Sequence, residues 1–159
     1  MSPTRAQLLR HHASLAGRLR AQTFFSEALG VRKPYYVYEA PGLRQAQRAP
    51  LLVLLRGHER EWVNVNEDDS RHSTAIQDLD RLIRAGRLPP LLAVLPGLNS
   101  SDNRVPSLGI DMVGTWRNYR YSLGTGNFWS FLTDELLPAV EDRYAAVGPP
   151  RMAVGFSLG

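Results

Sequence analysis

The chain has 159 residues, 43% hydrophobic and 21% charged, which is enough apolar material for a core in one ordinary domain and too much for a disordered chain. It has no cysteine, which excludes disulfides, thiolate catalysis and Cys-ligated metal clusters and says nothing of compartment. No run approaches the roughly 18 apolar residues of a membrane span, and the net charge of +4 comes from Arg5, Arg10, Arg18 and Arg20 ahead of the first carboxylate, Glu27, so the rest of the chain is neutral and shows no nucleic-acid footprint.

Ser2-Pro3 reads as a helix start, and Leu8, Leu15 and Leu19 then fall near one helical face with His12 between them. Residues 1–22 are therefore expected to form a basic N-terminal helix or extension ahead of a domain over 23–159. The segment is Arg-rich and acid-free, as transit peptides are, but nothing marks a cleavage site. It has no continuous apolar h-region either, and a cytoplasmic location is the expectation. His11 and His12 read as solvated. Thr23 to Ser26 is a short strand candidate, and Tyr35 to Tyr38 a stronger one, ended by Pro41-Gly42.

Leu51 to Leu55 is an unbroken apolar run that fits a strand buried on both faces. Thr74 to Ala85 reads as a helix, with Ile76, Leu79, Leu82 and Ile83 on one face and Gly86 after its end. Leu91 to Leu95 is a second buried strand, stopped by Pro96-Gly97. Residues 97–126 have no sustained period, and a loop of that length in a compact domain is usually functional or disordered. Phe128 to Tyr144 resumes helical spacing through Phe131, Leu132, Leu136 and Val140, with a kink or break expected at Pro138. Gly148-Pro149-Pro150 reads as a turn, and Met152 to Val154 as a last strand. Strand, helix, strand, helix, strand with buried apolar runs points to an α/β fold with a mostly parallel sheet and flanking helices.

Several constellations carry less. The carboxylates Glu59, Glu61, Glu67, Asp68, Asp69, Asp78 and Asp80, with His58 and His72, show neither HExxH nor EF-hand spacing, so no metal site is expected and no cofactor is implied. Gly124-Thr125-Gly126 follows no strand run and is no phosphate loop. Trp116, Arg117, Tyr119, Arg120 and Tyr121 suit a lid or pocket wall better than a base-stacking surface. Asn99 and Ser100 follow a strand end, where α/β sites gather, and are candidate pocket residues.

The chain ends Gly155-Phe156-Ser157-Leu158-Gly159, a G-x-S-x-G pattern directly after a strand run. A nucleophilic serine at the top of a sheet needs a very tight strand-to-helix turn. Small residues two before and two after it relieve the crowding of that turn. The serine Oγ is then exposed, and the N–H of Leu158 is aimed at the oxyanion.

With these residues in this order, the chain resembles the esterase group of the α/β-hydrolase superfamily, which includes S-formylglutathione hydrolases, feruloyl and enterochelin esterases and mycolyltransferases. The matching segments are SEALGVRKPYYVYEAPG, PLLVLLRGHEREW, PPLLAVLPG and FWSFLTDELLPAVEDRYAAVGPPRMAVGFSLG, most of residues 23–159. The resemblance implies Ser157 as nucleophile, with the backbone N–H groups of Leu158 and His58 as oxyanion donors. Trp62 matches an aromatic after the oxyanion loop, either a pocket wall or a packing residue. In Arg56-Gly57-His58, Arg56 departs from the His, Asp or Ser usual before the glycine of that loop. A cation there either favours an anionic substrate or pairs with a nearby carboxylate.

The family order of Ser, acid, then His places both partners beyond the serine, and two residues follow Ser157 here. The expectation is thus the N-terminal half of an α/β-hydrolase domain, truncated after the nucleophile-bearing strand. His58 alone flanks the site, and a base must also be held by a third group. Two readings follow: a serine hydrolase or acyltransferase on small-molecule esters or thioesters, and a non-catalytic remnant or interaction module. Uncovered sheet would make the isolated chain a homo-oligomer or aggregation-prone.

Overall fold

The structure is a computed structural model, and it describes residues 14–45, 48–64, 73–98, 110–112, 116–117, 122–123, 126–144, 147–156 and 159. The first two strands, β1 (Arg18–Ser26) and β2 (Val31–Glu39), pair antiparallel over nine residues each. The turn between them places Gly30 at φ 65°, the left-handed region open to glycine. Strand β1 corrects the N-terminal expectation, because residues 18–22 are sheet and not helix. Leu15 and Leu19 still reach the core, since both pack on a buried cluster. Residues 1–13 lie outside the described residues.

Strand β3 (Ala49–Leu55) is followed by a 3-10 turn over Glu59–Trp62 and then by helix α1 (Ala75–Arg84). The ends of α1 follow local chemistry. Thr74 Oγ1 accepts from the Gln77 N–H at 3.2 Å while the Thr74 N–H donates to Gln77 Oε1 at 2.9 Å, a reciprocal capping box. At the other end Gly86, at φ 67°, donates to the Ile83 carbonyl and Arg87 to the Leu82 carbonyl, both at 3.0 Å, a Schellman closure.

Strand β4 (Leu92–Pro96) is buried along its whole length. The segment after it carries four two-residue strands, β5 (Asp111–Met112), β6 (Trp116–Arg117), β7 (Ser122–Leu123) and β8 (Gly126–Asn127), paired β5 with β8 and β6 with β7. Helix α2 runs over residues 128–143 without a break. Its middle, Phe131–Leu136, is wound as a π-helix, and Pro138 sits in the first turn of the closing α segment. The expected break at Pro138 is replaced by this wider winding, which lies just upstream of the residue that lacks an N–H and crowds the carbonyl four residues before it. Asp111 caps the start of α2, accepting from the Trp129 N–H at 2.8 Å, the Ser130 N–H at 3.2 Å and the Ser130 hydroxyl at 2.8 Å.

The last strand, β9 (Val147–Gly155), takes in Pro149 and Pro150, so the turn expected there is sheet instead. Its register against β3 shifts between Pro50 and Leu51, and β9 stands at the sheet's edge among the described residues, where prolines without donors are tolerated. The five-stranded order is β1-β2-β4-β3-β9. Pairings β3–β4 and β3–β9 are parallel, and β1–β2 and β2–β4 antiparallel, so the sheet is mixed and not mostly parallel.

The strands alternate inward residues between two cores. Tyr35, Val37, Leu51, Val53, Leu92 and Val94 face α2 through Phe128, Phe131, Leu132, Leu136 and Val140. Tyr38, Leu54, Ala93 and Leu95 face α1 through Ile76 and Ile83. Strand period and helix period thus meet in a three-layer α/β/α arrangement. Two polar anchors hold the layers. Glu135 of α2 accepts from the Ser26 hydroxyl at 2.5 Å and the Ala28 N–H at 2.8 Å. Asp80 of α1, 2% exposed, accepts from the Tyr38 hydroxyl and the Gly17 N–H, each at 2.8 Å, and from the Ala16 N–H at 3.2 Å. No helix among the described residues is long and apolar enough to cross a membrane.

Candidate active site

Parallel strands β3, β4 and β9 end at the same edge of the sheet, where α/β folds bind ligands. Strand β9 stays paired to its last residues, and beyond it the Phe156 N–H still donates to the Leu55 carbonyl at 3.1 Å. The Gly159 N–H then donates back to the Phe156 carbonyl at 3.1 Å. A Cβ on Gly155 would lie 2.5 Å from the Gly159 carbonyl carbon and closer still to its oxygen. A Cβ on Gly159 would overlap the Leu55 carbonyl and lie 2.8 Å from the Arg56 nitrogen. Both glycines of the pattern are therefore required sterically, and what they abut is backbone, which cannot swing aside. Ser157 and Leu158 lie outside the described residues.

The same contacts bring the 56–58 loop against the end of β9. His58 has extended backbone (φ −119°, ψ 145°) and opens the 3-10 turn, its carbonyl accepting from the Glu61 N–H at 3.3 Å. Arg56 is largely buried. Its guanidinium lies 4.8 Å from the centre of the Phe156 ring and 5.7 Å from that of Trp62, with Nε 3.0 Å from a Glu61 carboxyl oxygen. Of the two roles the sequence leaves open for Arg56, the structure shows the paired one: two aromatic rings and a carboxylate hold the cation. Nothing in the local sequence pattern pairs Phe156 or Glu61 with Arg56. The two stand out only as the aromatic inside G-x-S-x-G and the acid five residues after the arginine.

Trp62 is half-buried and packs on the α1-side core. Among the described residues its buried Nε1 finds no hydrogen-bond partner, and neither does Oε2 of Glu59. Glu59 reaches the end of β4. A Cβ on Gly97 would lie 2.8 Å from Glu59 Oε2 and 2.8 Å from the Pro34 carbonyl, which accepts the Gly97 N–H at 3.1 Å. Burial pushes the Tyr36 hydroxyl above its ordinary pKa, with Glu59 adding to the rise and Arg60 opposing it. Asn99 and Ser100, which follow buried Leu98, lie outside the described residues. No cluster of three or more metal-ligating side chains occurs among the described residues. A cavity of about 230 Å³ lined by Gly17, Arg18, Glu39 and Arg44 opens at the opposite edge, where Glu39 pairs with Leu92 at the start of β4, and is remote from this site.

No family model matches the sequence. Solved structures do. A ferulic acid esterase is similar at 22% identity and TM-score 0.58, covering 92% of this chain and 51% of that one. An IroE-like serine hydrolase from Shewanella oneidensis is similar at 23% identity and TM-score 0.61, covering 89% of this chain and 43% of that one. An S-formylglutathione hydrolase from Agrobacterium tumefaciens is similar at 17% identity and TM-score 0.59, covering 91% and 50%. The chain spans about half the length of these three structures, 43% to 51% of each. These neighbours are the esterase group of the α/β-hydrolase superfamily that the sequence resembles, and the likeness is one of fold.

Proposed function

We propose that this chain carries the nucleophile and oxyanion half of a serine hydrolase acting on carboxylic esters or thioesters. One observation carries the reading: Gly155 and Gly159 are pressed against each other and against the Leu55 carbonyl, the crowding that a strand-to-serine turn creates. The esterase names of the structural neighbours support it.

In this reading Ser157 Oγ attacks the ester carbonyl carbon and gives its proton to a general base. The negative charge on the carbonyl oxygen is met by the N–H groups of Leu158 and His58. Collapse breaks the bond to the leaving oxygen or sulfur, which takes the proton from the base, and water then releases the acyl group by the same steps. The base and its orienting acid come from outside residues 1–159, so these residues by themselves turn over no ester above background. The Arg56–Glu61 pair holds the loop that presents His58. Neither a cofactor nor a metal takes part in this scheme.

The test is a fluorophosphonate probe followed by peptide mapping on the full-length protein. Labelling at Ser157, with ester hydrolysis lost in Ser157→Ala, supports the assignment. Unchanged hydrolysis in Ser157→Ala refutes it.

A further inference from the structure

The cavity of about 230 Å³ at the far edge of the sheet lies between two stretches of backbone that are fixed independently. One is residues 16 and 17, whose N–H groups both donate to Asp80 of α1. The other is the Pro41-Gly42 turn. It is held by the Ala40 N–H on the Leu91 carbonyl at 3.1 Å and closed by the Leu43 N–H on the Ala40 carbonyl at 3.2 Å. The cleft is therefore formed before anything enters it. It is also within reach of solvent, because Arg18 and Arg44, which line it, are both exposed.

Charge decides what it takes. Glu39 is the carboxylate in the lining, and its Oε1 already meets Arg20 Nε at 3.2 Å and the Tyr144 hydroxyl at 3.5 Å. Among the described residues Arg20, Arg56, Arg81 and Arg151 each pair with a carboxylate, whereas Arg18 and Arg44 pair with none. Two guanidiniums thus share a cleft whose own acid is spent, and an anion between them offsets their repulsion. A guanidinium presents a planar fork of N–H donors that matches carboxylate and phosphate oxygens. Pro41 and Leu43 add apolar wall. The volume is below the roughly 300–1,000 Å³ of sites for drug-sized ligands, so the occupant is small.

We propose that this cavity binds a small organic oxyanion, a carboxylate or a phosphate monoester on a short apolar body, with Arg18 and Arg44 taking the oxyanion. The site lies where Glu39 pairs with Leu92 at the start of β4, at the opposite edge of the sheet from the serine turn. The anion is therefore a ligand and not the ester of the hydrolase reading, and the inference does not rest on that reading. Bound there, it joins the start of β1 to the turn after β2 and stabilises the folded chain by mass action.

The experiment titrates benzoate, phenyl phosphate and neutral benzyl alcohol calorimetrically into the full-length protein at low salt. At least one anion is expected to bind about tenfold or more tighter than benzyl alcohol, as charge-assisted hydrogen bonds imply. The tighter anion identifies the head group. Arg18→Gln and Arg44→Gln are each expected to weaken that anion about fivefold, the scale of an exposed ion pair, and to leave benzyl alcohol unchanged. Arg84→Gln removes the same charge from an exposed position on α1 and is expected to leave anion binding unchanged. If neither anion binds tighter than benzyl alcohol, the proposal falls. It falls equally if Arg84→Gln weakens binding as much as the cavity variants, which marks a general attraction to net charge. Unchanged binding in the double variant Arg18→Gln with Arg44→Gln places the anion elsewhere and overturns the site. Surface substitutions of this kind move stability little. A wild-type measurement stands beside them: the anion is expected to shift the ¹⁵N amide signals of Gly17 and Gly42 on the cavity wall, and shifts that spare both overturn the site.

Discussion

Asp80 is the polar hinge between helix α1 and the sheet, and its removal is the sharpest test of the packing described above. Its Oδ1 receives the Tyr38 hydroxyl and the Gly17 N–H, and its Oδ2 the Ala16 N–H. Tyr38 is 0% exposed, so its hydroxyl has no route to water once the carboxyl is gone. A Cβ on Gly17 would meet the Tyr38 ring at 2.5 Å and the Glu39 carbonyl at 2.7 Å, so the 14–17 segment is seated tightly over the tyrosine. Asp80→Ala strands one buried hydroxyl and two backbone donors. At about 1–3 kcal/mol for each buried unsatisfied group, with the backbone pair partly reachable by water, the loss is about 3–5 kcal/mol. Asp80→Asn keeps an oxygen for the two 2.8 Å bonds and turns an NH₂ towards the Ala16 N–H, costing about 1–3 kcal/mol. Tyr38→Phe removes one donor and leaves the carboxyl its two backbone partners, costing about 1–1.5 kcal/mol. Urea unfolding at pH 7 measures all three, and the double variant Asp80→Ala with Tyr38→Phe is expected to fall short of the sum. A loss below about 1 kcal/mol in Asp80→Ala, or a larger loss in Tyr38→Phe than in Asp80→Ala, refutes this account.

Burial raises the hydroxyl pKa of Tyr35, Tyr36, Tyr38 and Tyr144. The folded chain therefore holds these protons where the unfolded chain has lost them, and stability is expected to fall as pH rises above the ordinary value of about 10, with a shallower fall in Tyr38→Phe by urea midpoints at pH 9 to 11. Glu61→Gln removes the carboxylate paired with Arg56, so in the full-length protein kcat/KM for an anionic ester relative to its neutral isostere is expected to rise roughly fivefold, the equivalent of about 1 kcal/mol; an unchanged ratio would show the guanidinium held in place by its other partners. Gly155→Ala forces a methyl into backbone and is expected to cost about 1–3 kcal/mol or more in urea unfolding and to abolish fluorophosphonate labelling, and wild-type labelling in that variant would remove the steric case for the turn. Among the described residues strand β9 pairs with β3 alone and leaves Met152, Val154 and Phe156 at 41%, 47% and 58% exposure, so residues 1–159 by themselves are expected to associate; a monodisperse 17.8 kDa species by light scattering with cooperative unfolding would contradict this.

Much of the architecture is legible in local pattern. Leu51 to Leu55 and Leu91 to Leu95 announce strands buried on both faces, because no other short element needs apolar side chains at every position. Thr74 and Gly86 bracket helix α1 because capping is a matter of a few adjacent backbone groups, and the glycines around Ser157 announce a turn for a steric reason that holds within five residues. What needed tertiary structure was pairing. Leu15 and Leu19 sit at helical spacing, yet residues 18–26 form a strand because β2 offers nine partners and backbone bonds that outweigh a marginal helix. The same partner makes the sheet mixed, since strand direction depends on which segments meet and not on their composition. Pro149 and Pro150 read as a turn, and only their place on a sheet edge makes them strand. Arg56 is the clearest case. Its charge is visible in the sequence, but whether that charge faces a substrate or is spent on Glu61 between Trp62 and Phe156 depends on bringing residue 156 beside residue 56, and long-range contact of that kind leaves no periodic trace in the chain.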